Sequence, residues 1–231
     1  MAASSACFVV IGVGGLGCPA LLALAASGAR HALVIDHDRV ERHNLQRQVL
    51  FDVGDVGALK AEAAARRLTS MQIDPRVQAL DVSEVPSFVA SLPPDVVVLE
   101  CTDQPALKFA VNDACLAHDV PLVIGAALGW RGQALAVRRG GACYRCVYEA
   151  PPPDDQIPRC DQAGVLGAGV GHIGMLMAHL AVRLAERDET VAGQLWAVDL
   201  WRTTIQHLAP APRPLCPAHA AAAPATTAIT A

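Results

Sequence analysis

A glycine-rich loop early in the chain places the strongest constraint on its fold. The apolar run Cys7–Ile11 predicts a buried strand, and the alanine- and leucine-rich segment Leu16–Ser27 predicts a helix. Between them the sequence follows the G-x-G-x-x-G pattern, with Gly12, Gly14, Gly15 and Gly17. A second apolar run, His31–Ile35, ends at Asp36. A strand, a glycine loop, a helix and a following acid are together typical of a nucleotide-binding βαβ unit, in which the helix N-terminus receives phosphate.

Apolar runs alternate with helical patterns as far as about residue 129. Hydrophobic residues make up 53% of the 231 residues and charged residues 17%, which excludes a mainly disordered chain. The sequence therefore predicts an α/β fold: a Rossmann-like, mostly parallel sheet with helices on both faces. The predicted strands are Cys7–Ile11, His31–Ile35, Val77–Val82, Val96–Glu100 and Leu122–Gly125, and the predicted helices are Leu16–Ser27, Ala58–Leu68, Val85–Ser91 and Pro105–Ala117.

The pattern changes after Trp130. Gln133–Arg138 and Gln194–Asp199 predict an antiparallel extension of the sheet. The apolar stretch Val165–Leu184 contains two histidines, an arginine and four glycines, so we interpret it as a buried helix and not a membrane span. We expect one domain over residues 1–219, with a nucleotide-binding part at 7–129 and a second part at 130–219. Residues 220–231 are low-complexity and predict a disordered tail.

The polar stretch from Asp36 to Gln48 argues against NAD as the nucleotide. A triphosphate needs more cations than a dinucleotide, and a carboxylate for Mg²⁺. Arg47 and Lys60 offer the cations. Asp103 offers the carboxylate, just past the fourth predicted strand, where ligands bind in open α/β sheets.

Four residues in the C-terminal half of the chain suggest a structural zinc site. Cys143-x-x-Cys146 and Cys216-x-x-His219 together form a Cys₃His set, which suits a closed zinc site. The alternatives are unpaired thiols with a tail histidine, or a redox Cys-x-x-Cys pair. The absence of a basic, signal-like N-terminus predicts a reducing, cytoplasmic location.

These motifs occur in an order that resembles the ThiF/MoeB/HesA family, the bacterial relatives of ubiquitin-activating enzymes. The resemblance covers about Cys7 to His219, and the Asn-Leu-Gln-Arg-Gln run combined with the cysteine pair is its most specific part. The matching pieces are Gly12–Gly17, Asp36–Asp38, Asn44–Gln48, Asp55–Gly57 with Lys60, Cys101–Asp103, Gly132-Gln133, Cys143–Cys146, Cys160 with Ala163–Gly167, and Cys216.

The resemblance implies ATP-dependent adenylation of the C-terminal glycine of a small ubiquitin-like sulfur carrier that ends in Gly-Gly. A sulfur donor such as a cysteine desulfurase or a rhodanese would then act, for thiamine or molybdopterin synthesis, and the family implies a homodimer. By similarity, Asp36 holds the ribose, Asp103 holds Mg²⁺, and Cys160 forms a covalent sulfur or acyl intermediate or is a dispensable loop thiol. The implied phosphate contacts are Asn44, Arg47 and Lys60, with Asp38 and Gln48 beside them.

The chain departs from the family pattern at three places. The family's N-terminal arm with its arginine is not seen, Gln104 and Lys108 stand where asparagine and arginine are usual, and His219 replaces the last zinc cysteine. These departures leave two alternatives open: a non-catalytic ATP- or carrier-binding partner, or adenylation of another carboxylate such as a peptide terminus or a modified tRNA nucleoside. The net charge of −4 argues against nucleic acid. An NAD-dependent oxidoreductase has only the glycine loop in its favour.

Overall fold

One mixed sheet forms the centre of the molecule. The computed structural model describes residues 6–153 and 166–222. Within them, eight strands lie in the order β3-β2-β1-β4-β5-β6-β7-β8. The strands are β1 Cys7–Ile11, β2 His31–Ile35, β3 Gln72–Arg76, β4 Val96–Glu100, β5 Leu122–Leu128, β6 Arg131–Val137, β7 Leu195–Asp199 and β8 Thr204–Leu208.

The first five strands are parallel and are covered on both faces. Helices α1, α2 and α6 pack over one core, which contains Phe8 and Val10, and helices α3 and α4 pack over the other, which contains Val9 and Ile11. Successive side chains of a strand point to opposite faces, so a continuous apolar strand supplies both cores. The helices are α1 Gly17–Ala26, α2 Lys60–Arg67, α3 Val85–Ala90, α4 Pro105–Ala117, α5 Tyr144–Val147, α6 Gly167–Ala185 and α7 Pro217–Ala222.

The antiparallel extension is present and is longer than the sequence indicates. Strand β6 pairs antiparallel with β5 and with β7, as predicted, and β8 adds a further antiparallel strand. Every residue of β8 is exposed, so no apolar alternation marks it in the sequence. One sheet therefore runs through both predicted parts of the chain.

Helix α6 is the one described helix that is long and apolar enough, by length and composition, to cross a membrane. It packs against α1 and the sheet, and it buries Ile173, Met177 and Leu180. Gly174 allows close approach to α1, because a Cβ there would lie 2.4 Å from the carbonyl oxygen of Leu16. The helix is thus part of the core, as predicted. His172 and His179 are exposed on its outer side.

Two expectations need correction. The third strand is Gln72–Arg76 and not Val77–Val82; it is an edge strand, mostly exposed, and includes Pro75, so it lacks the apolar signal of the other parallel strands. Residues 220–222 of the predicted tail continue helix α7, and residues 223–231 lie outside the described part.

Candidate functional site

The glycine loop and Asp103 meet at the carboxyl edge of the sheet. Strand β1 lies between β2 and β4. After β1 the chain forms β2 and β3 on one side of it, and then crosses over to form β4 and β5 on the other side. Ligands of open α/β sheets bind at such a switch point. A Cβ on Gly12, at the end of β1, would lie 3.2 Å from the backbone nitrogen of Thr102, at the end of β4. Asp103 follows Thr102 and is exposed, so its carboxylate is accessible beside the loop.

Two of the loop glycines, Gly12 and Gly17, are required by the backbone geometry. Gly12 has φ +90°, and a Cβ on Gly17 would lie 2.0 Å from the Gly12 carbonyl oxygen. A Cβ on Gly14 would meet nothing within 4 Å. The space beside Gly14, just before the N-terminus of α1, is therefore open to a ligand.

A chain of hydrogen bonds connects the glycine loop to Lys60. The Val13 amide donates to Oδ2 of Asp36 at 2.7 Å, and the Asp38 amide donates to Oδ1 of Asp36 at 2.8 Å. Nζ of Lys60 donates to Oδ2 of Asp38 at 2.8 Å. Each Asp36 oxygen keeps a further lone pair, so this carboxylate can still accept from a ligand hydroxyl.

Asp38 and Lys60 form an ion pair in which the lysine side chain is buried and the aspartate side chain is exposed. The Lys60 side chain is 7% exposed and that of Asp38 is 53% exposed. Burial opposes ionisation of Asp38, but the hydrogen bond and charge of Lys60 outweigh it and hold the pKa of that carboxyl below its ordinary value. Lys60 uses one of its three protons here and keeps others for an incoming phosphate.

A short 3₁₀ helix, Arg42–Asn44, begins the segment that carries three more predicted residues. Asn44 and Gln48 are buried, and their Oδ1 and Oε1 atoms accept no hydrogen bond from the described residues. Arg47 lies along the glycine loop, since its Cδ would be 3.5 Å from a Cβ on Gly15. Buried acceptors without a partner are costly, so they fit a region completed by a ligand or its water.

Lys108, one of the departures from the family pattern, is buried and not directed to solvent. Its Nζ donates to Oε2 of Glu100 and, at 2.7 Å, to the carbonyl oxygen of Gly125. The other Glu100 oxygen accepts from the amide of Thr102 at 3.1 Å and from its hydroxyl. The Glu100–Lys108 pair thus holds the turn that precedes Asp103, a role that sequence alone did not indicate.

We expect Lys108→Met to lower the free energy of unfolding by about 3–5 kcal/mol, because it leaves the Glu100 charge buried and unpaired. Urea denaturation measures the loss. The double variant Glu100→Gln/Lys108→Met removes both charges and should be less destabilised than Lys108→Met alone. Equal stability of Lys108→Met and the parent protein would contradict this account of the pair.

The four predicted zinc ligands come together from α5 with its N-cap residue and from the first turn of α7 with the residue before it. The donor atoms of Cys143, Cys146, Cys216 and His219 all lie within 4.8 Å of one another. Sγ of Cys143 is 3.7 Å from that of Cys146 and 3.6 Å from that of Cys216. These separations exceed a disulfide bond of about 2.05 Å and match the roughly 3.8 Å edge of a tetrahedron with Zn–S bonds of about 2.3 Å.

The surroundings of this cluster differ from one thiol to the next. Burial raises the pKa of Cys143 to about 12. Burial also opposes ionisation of Cys146, but backbone hydrogen bonds at Cys143 and Arg213 outweigh it and hold the pKa of Cys146 below its ordinary value. Nε2 of His219 is buried and has no hydrogen-bond partner among the described residues. Three thiols and an imidazole whose donor atoms lie within 4.8 Å of one another form a donor set that suits a metal.

Cys160 lies outside the described residues, as does most of the Ala163–Gly167 motif. The structure therefore describes nothing of its predicted covalent role. The remaining predicted nucleotide residues all belong to the described part of the chain, and the contacts given above connect all of them except Asn44 and Gln48 to the glycine loop or to the strand ends beside it. They are Gly12, Gly14, Gly15, Gly17, Asp36, Asp38, Asn44, Arg47, Gln48, Lys60 and Asp103.

Comparison with known families decides which proteins share this arrangement. The ThiF family pattern matches residues 2–218. The chain belongs to the ThiF family. The family resemblance predicted from the motifs is thereby confirmed, and the NAD-dependent oxidoreductase loses its support.

Relatives of this ThiF-family chain are named as an activating enzyme and as adenylyltransferases. It is 38% identical over 214 residues to the SAMP-activating enzyme E1 of Haloferax volcanii, which covers 90% of this chain and 78% of that protein. It is 40% identical over 180 residues to the adenylyltransferase and sulfurtransferase MOCS3-1 of Drosophila pseudoobscura pseudoobscura, which covers 76% of this chain and 40% of that protein. The chain spans less than half of the length of the MOCS3 relatives it matches.

Solved structures share the fold of this ThiF-family chain. E. coli MccB with ATP has a TM-score of 0.79 at 20% identity, over 94% of this chain and 68% of that one. PaaA has a TM-score of 0.70 at 16% identity, over 90% of this chain and 65% of that one. The predicted Rossmann-like fold, mostly parallel with an antiparallel extension, is confirmed.

Proposed function

We propose that this chain adenylates the C-terminal glycine carboxylate of a small ubiquitin-like sulfur carrier that ends in Gly-Gly, using ATP and Mg²⁺. The observation that carries the proposal is the convergence of the glycine loop, Asp36, Lys60 and Asp103 at one sheet edge in a ThiF-family chain. The names of the relatives support the same reaction class.

In this proposal the nucleotide lies over the glycine loop. Asp36 accepts from the ribose hydroxyls with its free lone pairs, and Arg47 and Lys60 contact the phosphates. Asn44 and Gln48 complete the site with their unpaired side-chain oxygens, which accept from a ligand hydroxyl or a water. Asp103 holds Mg²⁺, which neutralises phosphate charge when it is bound.

The reaction needs positioning and charge neutralisation and no protein nucleophile. A carboxylate oxygen of the carrier attacks the α-phosphorus of ATP, the bond from that phosphorus to the bridging oxygen breaks, and pyrophosphate leaves. Negative charge builds up on the phosphates as this happens. The Arg47 and Lys60 cations stabilise that charge, and the loop amides before α1 add their dipoles.

The carrier is proposed to bind on the antiparallel extension. A groove of about 550 Å³ is lined by the ends of β5 and β6 and by residues of β7 and β8, including Gln133, Arg131 and Arg202. Beside it, Trp130 and Trp201 are exposed, with ring centroids 5.4 Å apart. The β5 residues that line the groove lie beyond Ile124, which pairs with the last residue of β4. Asp103 follows that same end of β4. A tail in this groove would therefore lead toward the nucleotide.

We also propose that the Cys₃His cluster holds one zinc ion. Cys143 is the N-cap of α5 and Cys146 lies within that one-turn helix, while Cys216 and His219 belong to the C-terminal segment. Zinc would fasten that segment to the domain. The homodimer, the sulfur donor, the pathway and the cytoplasmic location stay predictions.

ATP–pyrophosphate exchange tests the proposed reaction. The purified chain should catalyse exchange of labelled pyrophosphate into ATP when a Gly-Gly-terminated ubiquitin-like carrier is added, and a carrier truncated by its two glycines should give none. ATP binding without exchange, seen as a thermal shift, would favour the non-catalytic partner. Exchange with a peptide terminus but not with the carrier would favour another carboxylate.

A further inference from the structure

Three side chains form a hydrogen-bonded series at the opposite edge of the sheet. Sγ of Cys7 lies 3.0 Å from Nδ1 of His31, and Nε2 of His31 lies 2.7 Å from Oδ2 of Asp74. A thiol within hydrogen-bond reach of an imidazole, which is itself oriented by a third group, is the signature of an activated nucleophile. Neither the proposed nucleotide site nor the metal cluster uses any of these residues.

The parallel strand register explains why the three side chains meet. Phe8 pairs with Ala32, so Cys7 and His31 begin neighbouring strands side by side. His31 pairs with Gln72 on β3, and Asp74 lies two residues further along that strand. Since side chains two residues apart share a face, Asp74 lies on the face of Gln72, beside His31. Cys7 is partly buried against the core, and the side chains of His31 and Asp74 are 36% and 53% exposed.

We propose that Cys7, His31 and Asp74 form a thiol-exchange site that reacts with the sulfur–sulfur bond of small disulfides. His31 acts as the general base, and Asp74 orients the imidazole and stabilises its charged form. The site is separate from adenylation, because it lies at the amino edge of the strands and the glycine loop lies at their carboxyl edge. The proposal therefore stands or falls independently of the proposed function.

The exchange step balances without any other reactant. The Cys7 thiol passes its proton to Nδ1 of His31 as Sγ attacks one sulfur of the disulfide. A new sulfur–sulfur bond forms between Cys7 and that sulfur, and the old one breaks. The second sulfur leaves as a thiolate and takes the proton from His31. The product is a mixed disulfide on Cys7 and one free small thiol.

The charges around the site favour a base-assisted thiol over a permanent thiolate. Burial, together with the negative charge of Asp74, raises the pKa of the Cys7 thiol above its ordinary value. The hydrogen bond from His31 lowers the pKa of Asp74, and the charge of Arg76 adds to this effect. Asp74 is therefore ionised and able to stabilise an imidazolium, while Cys7 keeps its proton until it attacks.

The test is the rate at which oxidised glutathione modifies Cys7 in the full-length, folded chain, followed by mass spectrometry. Trypsin releases Cys7 and Cys18 on one peptide, residues 1–30, so fragmentation compares both thiols in each sample. Cys18 is fully buried and burial raises its pKa to about 12, so it is an internal unreactive control. We expect Cys7 to be modified at least tenfold faster than Cys18.

His31→Gln should slow modification of Cys7 about 100-fold, the usual contribution of a general base, and Asp74→Asn should slow it by less. In His31→Gln, which has no base, the rate of Cys7 modification should follow the ionisation of the Cys7 thiol itself. It should therefore continue to increase as the pH rises into the alkaline range. His118→Gln, an exposed histidine on α4's C-terminal side, is the matched control and should change nothing. Unchanged or faster modification in His31→Gln would overturn the proposal. Cys7→Ser should leave pyrophosphate exchange intact.

Discussion

Asp103→Ala is expected to lower carrier-dependent ATP–pyrophosphate exchange by about 100- to 1000-fold, the usual effect of removing one charge-stabilising group. Asp103 follows the end of β4, next to the turn that Thr102 makes against Gly12. The proposed site has this carboxylate on the side of the glycine loop opposite Asp36. Its loss would remove the proposed anchor for Mg²⁺ and leave phosphate charge less well neutralised.

The fold of the Asp103→Ala variant should be unaffected. Asp103 is exposed, so its removal should change the free energy of unfolding by no more than about 0.5 kcal/mol. Higher Mg²⁺ should recover part of the exchange in Asp103→Asn, which keeps one oxygen ligand. Glu62→Gln, which alters an exposed acid on α2, is the control and should retain full exchange. Full exchange in Asp103→Ala would remove this residue from the proposed Mg²⁺ role.

The sequence predicts elements best where burial imposes a pattern. Strands β2 and β4 and helix α4 have the bounds that the sequence predicts, because buried apolar runs and a proline at the helix start define them. Strand β3 was misplaced and β8 missed, because both are largely exposed edge elements whose positions depend on pairing with a neighbour.

Gly12, Asp36 and Asp103 were predictable because each stands at or just past the end of a strand, while Arg47 and Lys60 were predicted as cations for a triphosphate and Asn44 and Gln48 from the family resemblance. Their partners were not, because pairing depends on three-dimensional approach. Lys60 was predicted to contact phosphate, but its ion pair with Asp38 was not predicted, because the two residues are 22 positions apart in the sequence. Lys108 was noted only as a departure from the family, and its burial against Glu100 emerged from the fold. The Cys7 site was hidden for the same reason, since the misplaced third strand left Asp74 outside the predicted sheet.

Cys143→Ser is expected to reduce bound zinc from about one ion per chain to nearly none and to release the C-terminal segment. Structural zinc in small domains contributes about 10–16 kcal/mol of apparent binding free energy, which a missing thiolate would largely forfeit. Helix α7 packs against α4, and Cys216 and Ala218 are buried there. Elemental analysis measures the metal, and hydrogen exchange of residues 213–222 measures the release.

The core of the sheet does not depend on the metal cluster, so the loss should be local. Strands β1 and β4 should keep their protection from exchange in Cys143→Ser, while residues 213–222 lose theirs. Cys18→Ala is the matched control: it removes a buried thiol from the other core, at some cost in stability, and should keep its zinc. His219→Ala should weaken zinc binding while Cys143, Cys146 and Cys216 still supply three ligands. A parent chain that is free of metal and protected throughout residues 213–222 would show that packing alone fastens the segment.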